Sequence, residues 1–202
     1  MLRPSPLVLI SSRLTIFLPI RRHFFSFPRI PSASQSPQTV SLARTLPHPP
    51  RLLYSVVSDV DSYSAFVPYC VTSIVTHRDP VTQQPAKATL RVGWKAFDES
   101  FESVLTCVEG ASVIAESHKH SLFKTLYTRW QIFPHPQRTD RGRVVLELKF
   151  EFANPLYNAV SASFAPAVAQ IMIEAFEKRI ADVALAEADA TTWKQIKARS
   201  QK

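Results

Sequence analysis

The spacing of apolar and polar positions divides the chain into three regimes. From Thr39 to Leu46 it alternates in part, through Val40 and Leu42, and stops at Pro47, which predicts a short first strand. Pro49 and Pro50 suit a helix start, and Leu52, Leu53, Val56, Val57 and Val60 then fall on one helix face. Asp61 is placed to cap a second short helix through Tyr63 and Phe66, which Pro68 ends. Six strand-like runs follow: Tyr69–His77, Ala88–Phe97, Ser100–Val108, Val113–His118, Leu126–Phe133 and Arg143–Phe152. Short turns separate most of them, and a polar loop is expected from Pro134 to Gly142. Alternation is clearest in the last run, with Val144, Leu146, Leu148, Phe150 and Phe152 against Glu147, Lys149 and Glu151. In the second, Leu90, Val92, Trp94 and Ala96 oppose Arg91 and Lys95. The series predicts an antiparallel meander with one solvated face.

From Pro155 to about Leu185 the period becomes helical and reads as one long helix. Ser163, Gln170, Glu174, Glu177, Lys178 and Asp182 form its polar stripe. Val160, Phe164, Val168, Ile171, Met172, Ala175, Phe176 and Ile180 form an apolar arc wide enough to lie across a large apolar surface. Residues 186–202 turn polar and are expected to fray. The predicted fold is therefore α+β: a curved antiparallel sheet of six or seven strands wrapped around a long C-terminal helix, with two short helices after the first strand. The inner face of such a sheet exceeds what one helix can cover. Part of the interior is expected to stay a mostly apolar cavity, about 300–1,000 Å3 for a ligand site of ordinary size.

Charge adds a separate N-terminal region. The 202 residues carry a net +8, and residues 1–58 hold seven arginines and no acid, which leaves +1 for the rest. A basic, nucleic-acid-binding body is thereby disfavoured. Residues 1–38 hold six of the 16 prolines and many serines, with no sustained core pattern. An acid-free segment rich in Arg and Ser reads as a mitochondrial targeting sequence, with Arg22-His23-Phe24-Phe25-Ser26 as the processing context. Secretion is the competing reading of the apolar run at 7–18, but no small-residue cleavage site follows it. The division is thus targeting segment and linker over 1–38, folded domain over 39–185 and polar tail over 186–202. No run of 18 apolar residues occurs, two cysteines exclude a disulfide scaffold or four-Cys zinc site, and three glycines exclude a glycine-rich phosphate loop.

Four segments carry a resemblance. They are Val57-Ser58-Asp59-Val60-Asp61-Ser62-Tyr63-Ser64-Ala65-Phe66-Val67-Pro68-Tyr69-Cys70, Glu99-Ser100-Phe101, Phe150-Glu151-Phe152-Ala153-Asn154-Pro155-Leu156-Tyr157, and Ala175-Phe176-Glu177-Lys178-Arg179. In this order the chain resembles the mitochondrial coenzyme Q-binding proteins of the START-like (helix-grip, polyketide cyclase/dehydrase-like) superfamily, over about residues 40–185. That family often has Trp where this chain has Tyr69. The resemblance implies binding and carriage of ubiquinone or its polyprenyl precursors, on the matrix side of the inner membrane and peripheral to it. It implies support of respiratory electron transport and ubiquinone biosynthesis, with respiratory-chain or biosynthetic proteins as partners. No cofactor, metal or nucleic acid is implied.

A prenyl tail needs a concave apolar wall, since removing it from water is favourable by roughly 25 cal/mol per Å2. The sheet-side candidates are Leu90, Val92, Trp94, Trp130, Leu148, Phe150 and Phe152; the helix-side ones are Phe164, Val168, Ile171, Met172 and Phe176. Tyr69, Trp130 and Arg91 are the candidate donors to the quinone carbonyls. The carboxylate pairs Asp59/Asp61, Glu99/Glu102 and Glu147/Glu151 read as helix caps or solvated faces rather than an acid–base pair. His118 and His120 read as a surface pair, and Cys70 and Cys107 as reduced, buried thiols. Lys119, Lys124, Arg129, Arg138, Arg141 and Arg143 form a mildly basic group, suited equally to anionic head groups or to water. The rival readings are a cyclase or dehydratase of the same fold and a ribosome-associated binding module.

Overall fold

The computed structural model describes residues 37–94, 97–118, 121–161 and 163–200. The targeting segment expected over 1–38 lies outside the described residues, apart from its last two. Twelve elements follow, one of them a 3-10 turn. Strand β1 (Gln38–Leu46) leads to α1 (Pro50–Ser58), the turn at Val60–Ser62 and α2 (Tyr63–Phe66). Strands β2 (Cys70–Arg78), β3 (Pro85–Trp94), β4 (Phe97–Val108), β5 (Ser112–His118), β6 (Phe123–His135) and β7 (Arg138–Phe152) come next, then α3 (Pro155–Ser161) and α4 (Ala165–Arg199). The strands form one antiparallel sheet in the order β1-β7-β6-β5-β4-β3-β2. The six-strand meander is thus as the alternation predicts, and the first strand adds to the last.

Several boundaries differ from the sequence reading, each for a physical reason. Phe97 opens β4, opposite Trp94, instead of ending β3. The segment expected to loop between Pro134 and Gly142 is the far end of a long hairpin, with Pro134 paired to Gly142 and His135 to Arg138. Its polar side chains mark two solvated strands, not a loop. Gly142 sits where β7 passes beneath α1, and a Cβ there would come 2.5 Å from Leu53 Cδ1. The long helix is broken, because Pro166 has no N–H to donate and cannot lie in the interior of a continuous helix. The break leaves α3 separate, and α4 restarts after Phe164. Residues 186–199 do not fray: this alanine-rich stretch has high intrinsic helix propensity and extends α4 to 35 residues.

Asp61 does not cap α2. Its carboxylate accepts from the Val75 N–H at 2.6 Å and pairs with Arg78 at 2.6 Å, tying the turn to β2. Pro49 and Pro50 open α1 as expected, and it buries Leu52, Leu53, Tyr54, Val56 and Val57.

Helix α4 buries Ala165, Ala169, Ile173, Phe176 and Ile180, one side chain per turn. Phe176 is the centre of an aromatic group: its ring lies 4.6 Å from Trp130, 5.0 Å from Phe66 and 5.2 Å from Tyr63. The Tyr63 hydroxyl donates to the Val57 carbonyl, which fixes α2 to α1. At the sheet edge Arg44 reaches α4 twice, donating to Gln170 at 2.8 Å and lying 3.2 Å from the Glu177 carboxylate. That ion pair lies off the hydrogen-bond line, since the same Glu177 oxygen is buried without a hydrogen-bond donor.

Because Phe176 joins sheet, α2 and α4 at one point, Phe176→Ala should destabilise the protein by about 3–5 kcal/mol. Urea unfolding of the full chain, followed by circular dichroism, measures it; a loss under about 1 kcal/mol would mean the ring is not packed as described.

Candidate functional site

The inner face of the sheet is built from alternate residues held in register. Trp130 lies between Val113 and Leu146, Thr128 between Ala115 and Leu148, and Leu126 between Ser117 and Phe150. On the other flank Ala88 faces Ser103 and Leu90 faces Phe101. Strand β1 closes the near edge with Val40 opposite Leu148 and Leu42 opposite Leu146.

These inward residues form two buried groups among the described residues. One surrounds Trp130, Leu146, Ile173 and Phe176 and extends to Ala88 and Leu105. The second is Leu148, Phe150 and Ala165, flanked by Val40, Phe123, Leu126 and Phe152. Ser103, Ser117 and Thr128 lie on the same inward face of β4, β5 and β6, and Ser103 and Ser117 are buried there. Small side chains on a concave floor occupy less of the space beneath a covering helix than large ones do. Burial also changes along the sheet. Trp130, Leu146, Ser103, Ser117, Leu148 and Phe150 are closed off, whereas inward-facing Leu126, Thr128, Phe123 and Phe152 remain partly accessible.

A chain of aromatic rings leads outward from this second group. Phe101 and Phe123 lie 6.0 Å apart, Phe123 and Phe152 4.8 Å, Phe150 and Phe152 5.6 Å, and Phe152 and Tyr157 6.0 Å. Tyr157 stands on α3 and is exposed, as is Leu156. The α3 position is set by side-chain hydrogen bonds. Asn154 Oδ1 accepts from the Leu156 N–H at 2.9 Å, capping the helix, and Pro155 begins it. Asn158 pairs with both the N–H and the carbonyl of Phe152, and Gln38 donates to the Asn158 carbonyl and to Ser161 Oγ.

The residues predicted to form an apolar wall separate into three sets. Leu90, Val92, Leu148, Phe150, Phe152 and Met172 do face the interior. Trp130 and Phe176 are inside but locked in the packed aromatic group, where they fill space rather than border it. Phe164, Val168 and Ile171 are 59%, 38% and 38% exposed and do not face the sheet. The wide apolar arc of α4 is two faces, and a sheet covers only one. Trp94 ends β3, and its side chain lies outside the described residues, as do Lys95 and Ala96. Tyr69 is exposed with φ 65°, at the tight entry to β2.

Of the candidate donors to a quinone carbonyl, Arg91 points outward and forms an ion pair with Asp98, which holds that carboxyl below the usual range. The inward hydroxyls of Ser103, Ser117 and Thr128 were not singled out from the sequence. The signal was present: β4 alternates Phe101, Ser103, Leu105, and β5 alternates Val113, Ala115, Ser117.

Glu99 lies on the inward side of β4, opposite Val92 and two residues from buried Phe101, and is half-buried; most of the other chemistry-bearing residues face water. Glu147 pairs with Lys149 at 2.9 Å and Arg129 at 2.5 Å, which lowers its pKa, and Glu151 pairs with Lys124 at 2.7 Å. Arg138 pairs with Asp140. Three members of the expected basic group are thus spent on acids, and Lys119 lies outside the described residues. The His118 side chain and His120 lie outside them too. Glu102 stands 4.0 Å from Lys87. Among the described residues no group of three or more His, Cys, Asp or Glu is placed to hold a metal, and no helix is long and apolar enough to cross a membrane. A cleft of about 290 Å3, bordered by Phe133, His135 and Arg143, lies at the β6–β7 hairpin, away from Phe150 and Phe152.

Comparison with known proteins matches residues 46–177 to the family described as polyketide cyclase / dehydrase and lipid transport. The chain is 39% identical, over 80% of its length and 79% of the relative's, to the mitochondrial coenzyme Q-binding protein COQ10 of Saccharomyces cerevisiae. Its fold is similar to a START superfamily protein from Mycobacterium smegmatis, with a TM-score of 0.64, 18% identity and coverage of 72% of this chain and 98% of that one. It is also similar to the Zhui aromatase/cyclase from Streptomyces, with a TM-score of 0.60, 14% identity and coverage of 71% and 93%.

Burial pushes the thiol pKa values of Cys70 and Cys107 upward, the opposite of what a nucleophile needs. Iodoacetamide at pH 8 should therefore modify both at least about tenfold more slowly in the folded protein than in urea. Fast labelling of either in the folded state would reopen a catalytic reading.

Proposed function

We propose, for a chain that belongs to the polyketide cyclase / dehydrase and lipid transport family and to its mitochondrial coenzyme Q-binding members, that it binds ubiquinone or its polyprenyl precursors as a carrier. The observation that carries this reading is the small-residue floor at Ser103, Ser117 and Thr128, on the inward face of β4, β5 and β6 between large apolar residues. A prenyl chain laid there loses apolar area to side chains of the same character, at roughly 25 cal/mol per Å2. The three hydroxyls offer donors for the two quinone carbonyls. Met172, partly buried on the helix side, is flexible enough to follow an irregular tail. Phe123, Phe152 and Tyr157 make an aromatic path from the floor to the surface beside α3. Exchange needs no covalent step: the tail slides along this path, and the head group follows.

The reading as a carrier without catalysis rests on where the acids stand. Glu147, Glu151 and Asp98 are engaged by cations on the outer face, Asp61 holds β2, and Glu99, on the inward side of β4 opposite Val92, is a single carboxyl and not an acid–base pair. A cyclase needs an acid–base pair facing its substrate. The location that fits is the mitochondrial matrix, peripheral to the inner membrane, where quinones are dissolved. Delivery there serves respiratory electron transport and ubiquinone synthesis.

Full-length protein purified from a quinone-containing host, extracted with organic solvent, should release ubiquinone detectable by mass spectrometry. Thr128→Phe fills the floor and should cut that yield at least about tenfold, while Thr128→Ser, which keeps the hydroxyl and adds no bulk, retains it. Equal yield from a folded Thr128→Phe protein would place the ligand elsewhere.

A further inference from the structure

Helix α4 has a second, outward face that the fold does not use. Its 35 residues span about 52 Å, and residues from Leu185 onward, about 22 Å of helix, have no buried side chain. On this overhang Leu185, Trp193 and Ile196 are 66%, 72% and 51% exposed. At about 100° per residue these three fall within about 80° of one another, and Phe164, Val168 and Ile171 fall on the same side at the other end of the helix. The buried stripe of Ala169, Ile173, Phe176 and Ile180 is on the opposite side.

Charge then indicates what meets the overhang. After Asp189 the chain carries Lys194, Lys197, Arg199 and Lys202 and no acid. Lys197 and Arg199 flank the Trp193–Ile196 stripe on either side, so their apolar stems can lie along it while their charges reach outward. A tryptophan with an aliphatic neighbour, bordered by cations, is the composition of a helix lying in the interface of an anionic bilayer. Lys178, Asp182 and Asp189 interrupt the same face, so contact is made at its two ends.

We propose that the outward face of α4 is a docking surface for an anionic lipid bilayer, anchored by Trp193 and Ile196 with Lys197 and Arg199 on either side of them. Its other end carries Phe164, Val168 and Ile171 to the same surface, and Phe164 follows α3, on which the aromatic path reaches Tyr157. The purpose of this docking rests on the carrier reading; the docking itself is measured separately.

The test uses full-length protein with phosphatidylcholine vesicles that contain brominated lipid, with and without cardiolipin. Quenching of tryptophan fluorescence should appear with the cardiolipin vesicles and weaken with salt. W193F should remove the quenched component. The variant K197Q/R199Q should need at least about tenfold more lipid for the same quenching. Quenching that persists in W193F would show attachment through another part of the chain and overturn the proposal. Concentration-dependent dimerisation abolished by Trp193→Glu, without quenching on vesicles, would overturn it in favour of a second copy of this chain. Quinone extracted from the same variants separates the two readings: parental quinone without docking sinks this inference alone, and docking without quinone sinks the carrier.

Discussion

A twisted seven-stranded sheet presents more concave surface than a single helix can cover. The rest of the molecule follows from how that mismatch is resolved. One stripe of α4, with a side chain per turn, is pressed into the sheet where Trp130, Phe66 and Tyr63 receive Phe176. Helix α1 closes the same end over β7, at the position where only Gly142 leaves room for Leu53. Toward Leu126 and Phe152 inward side chains become partly accessible, while Ser103 and Ser117 stay buried, as does Phe150. A closed end and an open end are therefore consequences of the same packing.

The segments that carry the family resemblance build the frame, not the floor. Tyr63 and Phe66 hold Phe176, and Asp61 ties the preceding turn to β2. Asn154 and Pro155 start α3 at the end of β7, and Arg179 stacks over Phe66 at 5.7 Å. Such contacts fix the distance between helix and sheet. The floor itself is made of residues too ordinary to form a motif, which allows members of one fold family to hold different guests on a common frame.

Period and turn chemistry made much of the fold legible. The alternation of Val144 to Phe152 placed β7, and Pro49-Pro50 placed α1. What failed were inferences in which polarity stood in for structure. The residues from Pro134 to Gly142 are polar because both faces of that hairpin tip meet water, and Ala186–Arg199 is polar because nothing in the domain covers it. Pro166 was the visible signal for the break between α3 and α4. At the site, the strand residues facing inward were readable from alternation. Phe164, Val168 and Ile171 were not, since a helix whose apolar arc is wider than its contact does not reveal which half is buried. Asp61 shows the same limit: a carboxylate beside a helix start looks like a cap until β2 brings Val75 and Arg78 to it.

These parts form one route: a lipid enters beside α3, follows the aromatic rings and rests on the small-residue floor of β4, β5 and β6. A ubiquinone analogue with a photoreactive diazirine in its prenyl tail tests this most directly, with the crosslinked residues identified by peptide mass spectrometry. Adducts are expected on the inner positions of β5 and β6 and on Met172, with few on the outer side of the sheet. Adducts confined to the cleft at Phe133 and His135, or to the outward face of the strands, would contradict it.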